Sequence, residues 1–219
     1  MARSHRIKQP NTMPHSAVLE PIIHSPALPQ LLDELNKYWE DEQNRRLEFY
    51  NWVTPDLKAE FIEGEIVVHS PVRSKHNVVL RNVLFELETF WRATKKGYLG
   101  VEKIMTRFTR NDYEPDICYF REEKSREFND EQTIFPAPDF VIEILSSSTE
   151  SRDRGVKFAD YEAHGVEEYW IIDPDMKTVE QYILEKGTEK SHYRLQPKSD
   201  VLKSAVIEGL EMKVSSIFD

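Results

Sequence analysis

The sequence predicts an α/β fold, and three observations carry that expectation. Residues 138–145, Pro138-Asp139-Phe140-Val141-Ile142-Glu143-Ile144-Leu145, and residues 168–173 are almost continuously apolar, the pattern of strands covered on both faces. The segment between them, from about Glu150 to His164 and closed by Gly165, reads as a helix. A strand, a helix and a strand at this spacing make a crossover between parallel strands. Finally, residues 59–69 and 178–195 carry hairpin signals, so antiparallel pairs accompany the crossover. A chain of 219 residues holds one domain with a substantial core and is too short for two large ones.

Taken in order, residues 1–27 contain Pro10, Pro14, Pro21 and Pro26 without periodicity and read as a flexible arm. Residues 28–53 form an accessory amphipathic helix in which Leu31, Leu32, Leu35, Tyr38, Trp39 and Leu47 recur at helical spacing. It serves to pack outside the main sheet or as a dimerisation element. The main domain spans 54–185. In its first hairpin, Glu63-Gly64 separates Ala59–Ile62 from Glu65–His69. Ser74 is the N-cap of a second helix whose His76, Leu80, Val83, Leu84, Leu87, Phe90 and Trp91 share one face, with Lys95, Lys96 and Gly97 at its stop.

Tyr98 to Arg110 reads as one long strand, followed by the strand after Asp116 and a charged loop from Arg121 to Gln132. In the helix that follows Glu143, Asp153, Lys157 and Tyr161 are spaced by four and share a face. Trp170 is core, and Asp173-Pro174 is a strand-ending turn. Residues 186–219 supply further strands and a short tail.

Composition narrows the function. The single cysteine, Cys118, sits in an apolar strand and has no partner for an intrachain disulfide, so a reducing, cytoplasmic setting is expected. No apolar stretch approaches a membrane span. A net charge of −10 argues against unspecific coating of nucleic acid. Residues 71–110 are nevertheless locally basic, with Arg73, Lys75, Arg81, Arg92, Lys95, Lys96, Lys103, Arg107 and Arg110 against Glu86, Glu88 and Glu102. This is either a phosphate-facing rim or a solvated helix face.

Two acids stand where strands should be apolar, Asp116 before Ile117-Cys118-Tyr119-Phe120 and Glu143 within 140–145. A buried carboxylate without compensation is strongly penalised. Such a pair therefore binds a hard divalent cation or is satisfied by salt bridges and hydrogen bonds. His76, near its helix start, is a core or capping group, or a neighbour of that metal.

An ordered series of motifs sharpens this choice. It runs Glu60-Phe61-Ile62-Glu63-Gly64-Glu65, then Ser70-Pro71 with His76, Glu114-Pro115-Asp116, and Pro138 through Ser146. It continues with Asp153, Lys157 and Tyr161, and ends with Gly165 through Pro174. The series resembles the PD-(D/E)XK nuclease superfamily and, more narrowly, the Uma-two family of restriction-endonuclease-like bacterial proteins. The resemblance implies a restriction-endonuclease-like mixed β-sheet core flanked by helices. It also implies an endonuclease that hydrolyses phosphodiester bonds in DNA with Mg²⁺ or Mn²⁺.

Asp116, Glu143 and the Ile144 carbonyl would hold the metal, with Asp116, Glu143 and Lys157 as the catalytic set and Glu60 and His76 as auxiliaries. The superfamily's simplest pattern has a lysine two residues after the second acid, where this chain has Leu145. Lys157 replaces it only if the helix returns its ammonium to Glu143. Beside the endonuclease stand two other readings, a catalytically inactive binding module for nucleic acid or protein, and a homodimer built through residues 28–50.

Overall fold

The computed structural model describes residues 17–187 and 191–219, so most of the expected arm, residues 1–16, lies outside the described residues. The chain divides into two compact units, Met1–Glu48 and Phe49–Asp219. In the first, α1 (Glu20–Ile23) is a single helical turn with Pro21 in its first positions and no buried residue. Leu28 begins the long helix α2 (Leu28–Trp52), whose Leu32, Leu35, Tyr38 and Trp39 are exposed. Among the described residues no helix is long and apolar enough to cross a membrane.

Among the described residues the second unit contains a six-stranded main sheet, a five-stranded smaller sheet and a two-stranded ribbon near the C-terminus. β1 (Ala59–Ile62) and β2 (Glu65–Val68) form the expected hairpin; Glu63 and Gly64 at its tip have φ of 50° and 86°, the doubly left-handed turn that matches strand twist. α3 (Ser74–Thr94) follows. Arg73 rather than Ser74 occupies its N-cap position, and no side chain caps it, because Ser74 is already helical. β3 (Tyr98–Val101) and β4 (Met105–Arg107) replace the long strand expected from 98 to 110. Glu102, at φ 55°, bends the chain between them so that β3 enters one sheet and β4 the other.

β5 (Asp112–Tyr113) and β6 (Ile117–Phe120) follow. The charged loop then contains a helical turn, α4 (Glu122–Ser125), before β7 (Ile134–Phe135) and β8 (Phe140–Ile144). The helix expected over 150–164 is two pieces, α5 (Glu150–Asp153) and α6 (Val156–Ala163). At the break a Cβ on Gly155 would lie 2.6 Å from the Ser151 carbonyl oxygen, a close approach that glycine alone tolerates. β9 (Glu168–Asp173), β10 (Thr178–Glu185) and β11 (His192–Leu195) complete the main sheet, and β12 (Val201–Lys203), β13 (Glu211–Lys213) and α7 (Val214–Phe218) end the chain.

Among the described residues the main sheet has the order β11-β10-β9-β8-β6-β3, with β8 and β9 parallel as the crossover requires and the other neighbours antiparallel. The smaller sheet runs β2-β1-β5-β4-β7.

Strand alternation divides the main sheet's two faces. Phe140, Ile142, Ile144, Trp170 and Ile172 pack with Val79, Leu80, Val83 and Leu87 of α3 and with Leu202, Val206, Ile207, Leu210, Met212 and Ile217. The short tail expected at the C-terminus is therefore part of the core. Val141, Leu145, Tyr169 and Ile171 face the other way, against Tyr161 of α6, Val166 and a cluster including Phe108 and Tyr113. Cys118 is core on that same face. Burying each large apolar side chain contributes roughly 1.5–3 kcal/mol, which makes both faces strongly specified. Glu143 lies between Val141 and Leu145 and so shares the α6 face.

Candidate active site

The acid pair is set by strand register. β6 and β8 pair Ile117 with Ile142 and Cys118 with Val141, and one further step places Asp116 opposite Glu143. Both side chains are almost completely buried. The Ile144 N–H donates to Asp116 Oδ2 at 2.9 Å, and the Asp116 N–H approaches Glu143 Oε2 at 3.4 Å. An extended residue points its N–H and C=O to one side, so the Ile144 carbonyl is directed to the strand edge where Asp116 stands.

Lys157 reaches Glu143 from α6. Its Nζ lies 2.9 Å from Glu143 Oε1, 2.8 Å from Glu60 Oε1 and 3.5 Å from Asp153 Oδ1. Tyr161, one turn on, donates its hydroxyl to Glu143 Oε1 at 2.9 Å. Leu145, two residues after Glu143 on the same strand face, is buried in the apolar cluster. The strand thus fills the usual lysine place with packing, and the helix supplies the ammonium. Although α5 and α6 are separated at Gly155, Asp153, Lys157 and Tyr161 still converge.

Asp116 is held by a different set. Lys58 Nζ donates to Oδ1 at 3.0 Å, and His76 Nε2 lies 3.1 Å from Oδ2. Glu60, on β1, also accepts from the Glu114 N–H at 2.9 Å and has His69 Nε2 3.0 Å from Oε2. Glu114 in turn accepts from the Ala59 N–H at 3.0 Å. The structure therefore brings together every site residue expected from the sequence, Asp116, Glu143, Ile144 and Lys157 with Glu60 and His76.

Lys58, His69 and Glu114 went unnoticed as members. Lys58 had one available signal, since it stands two residues from Glu60 and residues so spaced share a strand face. Asp153, read as a simple helix partner of Lys157, is buried within the cluster.

The ionisation states reflect a surplus of acid. Burial pushes Glu143 up to about 8 against the pull of Lys157, and Asp153, Asp116 and Glu60 add to the rise. Burial likewise raises Glu114 to about 7. Glu60 overcomes its burial through Lys157 and His69 and falls to about 2, and Asp116 overcomes its own through His76 and Lys58 and is held well below the carboxylate range. Against their own burial, Lys157 and Lys58 are both raised by facing acids.

A cleft of about 320 Å³ opens on this cluster, lined by Lys58, His76, Asp116, Glu143 and Lys157 and, among others, by Arg73, Lys75 and Arg152. It lies at the carboxyl end of β8, where α/β sheets commonly take ligands. Lys75 also pairs with Asp175 at the cleft wall.

A hard divalent cation fits the donor chemistry here, because two cross-strand carboxylates and a neighbouring carbonyl offer oxygen ligands. Five carboxyl groups, Glu60, Glu114, Asp116, Glu143 and Asp153, face two lysines, and the raised values of Glu143 and Glu114 mean that a bound cation would take the place of their protons. Among the described residues no three His, Cys, Asp or Glu side chains converge as a metal-binding group.

Comparison with known proteins gives the chain a family and a fold. The family model Uma2, described as "Putative restriction endonuclease", matches residues 41–215. An uncharacterized protein of Synechocystis sp., sll1609, is 27% identical over 128 residues, covering 57% of this chain and 71% of that protein. A crystal structure from Anabaena variabilis, described as a putative nuclease belonging to DUF820, superposes with a TM-score of 0.63 at 22% identity. The match covers 78% of this chain and 95% of that one, and shows that the two share a fold.

Proposed function

The chain belongs to the Uma2 (Uma-two) family of restriction-endonuclease-like proteins, and from that premise we propose that it is a divalent-metal-dependent endonuclease hydrolysing phosphodiester bonds in DNA. The observation that carries the reading is the return of Lys157 Nζ to within 2.9 Å of Glu143, across the strand from Asp116. This is the acid–acid–lysine arrangement that the nuclease reading requires, formed although Leu145 stands where the usual lysine would.

Asp116, Glu143 and the Ile144 carbonyl would hold Mg²⁺ or Mn²⁺, which when bound supplies Lewis acidity toward a phosphate oxygen and acidifies a water. Lys157, ion-paired with Glu60, Glu143 and Asp153, stays charged and orients the attacking water while offsetting charge that develops on the phosphate. Tyr161 fixes the Glu143 rotamer through its hydroxyl. Glu60 anchors Lys157 from the smaller sheet, and His76 orients Asp116. Arg73, Lys75 and Arg152 on the cleft wall suit the phosphates that flank the scissile one.

The test is cleavage of plasmid and linear DNA with and without Mg²⁺ or Mn²⁺. Activity that requires the metal and falls about 10²–10⁴-fold in Asp116→Asn, Glu143→Gln and Lys157→Met, with melting curves unchanged in cooperativity, is the expected result. A second reading, a catalytically inactive binding module for nucleic acid or protein, is favoured by one observation, that lysine ammonium groups already occupy both acids without a metal. Salt-sensitive DNA binding without cleavage at any metal concentration would select it.

A further inference from the structure

The two lysines that face the acid pair are held unequally. Lys157 is 2% exposed and contacts Glu60 at 2.8 Å, Glu143 at 2.9 Å and Asp153 at 3.5 Å. If Glu143 turned to another cation, two carboxylates would still hold it. Lys58 comes from the residue before β1 rather than from within a helix or strand. Its Nζ has one hydrogen-bonded acid, Asp116 Oδ1 at 3.0 Å, and its side chain is 16% exposed on the cleft.

Asp116 does not depend on Lys58 for its orientation. Its other oxygen is fixed by the Ile144 N–H and by His76. Oδ1 is therefore the carboxylate atom that can change partners while the strands stay still, and Lys58 is the ammonium that can leave.

Resting on the nuclease reading above, we propose that Lys58 is the exchangeable cation of the site: it occupies the metal's place on Asp116 in the free protein and passes to the substrate's phosphate when a divalent ion takes that carboxylate. The exchange conserves charge balance at each stage. In the free protein the ammonium offsets Asp116. In the loaded protein the ion does so, and the released ammonium would be a second positive charge with Asp116 no longer its partner, on the wall of a cleft suited to an anionic ligand. A lysine on a flexible stem suits this role better than an arginine, because it is a compact point charge without a planar fork to lock it to one carboxylate.

Lys58 thus has opposite effects on the two ligands. It competes with the metal and assists the phosphodiester, a combination that a purely structural ion pair does not produce.

The experiment is Mn²⁺ titration by calorimetry of the wild type, Lys58→Met and Asp116→Asn, followed by anisotropy of a short labelled phosphorothioate oligonucleotide on the Mn²⁺-loaded proteins. Removing the competing charge should tighten Mn²⁺ binding by about tenfold in Lys58→Met, while oligonucleotide affinity falls by about tenfold and its salt slope decreases by about one. Should Lys58→Met fail to fold, Lys58→Gln carries the same expectations, since it keeps a donor for Asp116 without the charge.

Unchanged or weaker Mn²⁺ binding in the Lys58 variant, with wild-type binding abolished in Asp116→Asn, overturns the exchange and leaves the nuclease reading standing. Tighter Mn²⁺ binding with unchanged oligonucleotide affinity overturns the transfer to phosphate. No Mn²⁺ binding by any of the proteins removes the nuclease reading and this inference with it.

Discussion

Glu168 and Glu143 are two acids in neighbouring parallel strands of one sheet, both almost completely buried, and they have opposite characters. Glu168 opens β9 and shares a face with Trp170 and the C-terminal residues. Its Oε1 accepts from Trp170 Nε1 at 2.7 Å and Gln181 Nε2 at 2.8 Å. Its Oε2 accepts from Ser204 Oγ at 2.6 Å and from the N–H groups of Ala205 and Val206 at 2.9 and 3.1 Å. Every donor is neutral and part of the fold.

Glu143, toward the other end of β8 and on the opposite face, is held by an ammonium and a phenol beside an open cleft. An acid in an apolar strand therefore does not by itself mark a site. What separates the two is whether fixed neutral donors satisfy the carboxylate, or whether it shares a surplus of charge with groups that ligands can reach.

The largest effect expected from this contrast is on stability at Glu168. Glu168→Ala strips a common acceptor from five donors and unties residues 204–206 from β9. A loss of about 3–5 kcal/mol is expected, read by denaturant unfolding. Glu143→Gln should do the reverse. Glu143 is raised to about 8, so at neutral pH a neutral amide replaces a largely protonated carboxyl of the same shape, and the unfolding free energy should stay within about 1 kcal/mol of wild type while cleavage is lost. Comparable destabilisation by the two variants would erase the distinction.

The pH dependence of the metal-free protein sharpens it further. Glu143, raised from 4.5 to about 8, and Glu114, raised to about 7, stabilise the fold while protonated. That contribution is fully present below their unfolded value of 4.5 and is lost as pH rises through about 7–8. Glu60 and Asp116, both lowered, act in the opposite sense, stabilising above their unfolded values of 4.5 and 3.8 and losing that contribution as pH falls through their folded values. Thermal melts across this range should show a decline on the alkaline side that Glu143→Gln flattens and Mn²⁺ removes. The smallest effect belongs to the cleft wall: Arg73→Ala should reduce the salt slope of DNA binding by about one with little change in melting.

Much of this was legible in the sequence for reasons of locality. The β1–β2 hairpin, the crossover from β8 to β9 and the face of α3 each follow from periodicities within a few residues, and the acid pair stood out against its apolar neighbours. Contacts between the sheets did not. Lys58 meets Asp116, and Glu60 meets Lys157, only after β1 and α6 have been placed against the main sheet, and no short-range pattern encodes that placement. One strand over 98–110 is expected because the apolar residues continue through the bend at Glu102, and it is this bend that takes the chain from one sheet to the other. The C-terminal residues were underestimated because β12 and β13 are three residues each, too short for alternation to register.

The burial of Leu202, Val206, Met212 and Ile217 beneath β8 and β9 also bears on when the site comes into being. A ribosome delivers Lys58, Asp116 and Glu143 early, yet the sheet that aligns them lacks one of its covering layers until residues 201–217 have emerged. A chain shortened before residue 201 is therefore expected to carry the lysines and acids of the cleft on a sheet with one face uncovered, and so without their alignment.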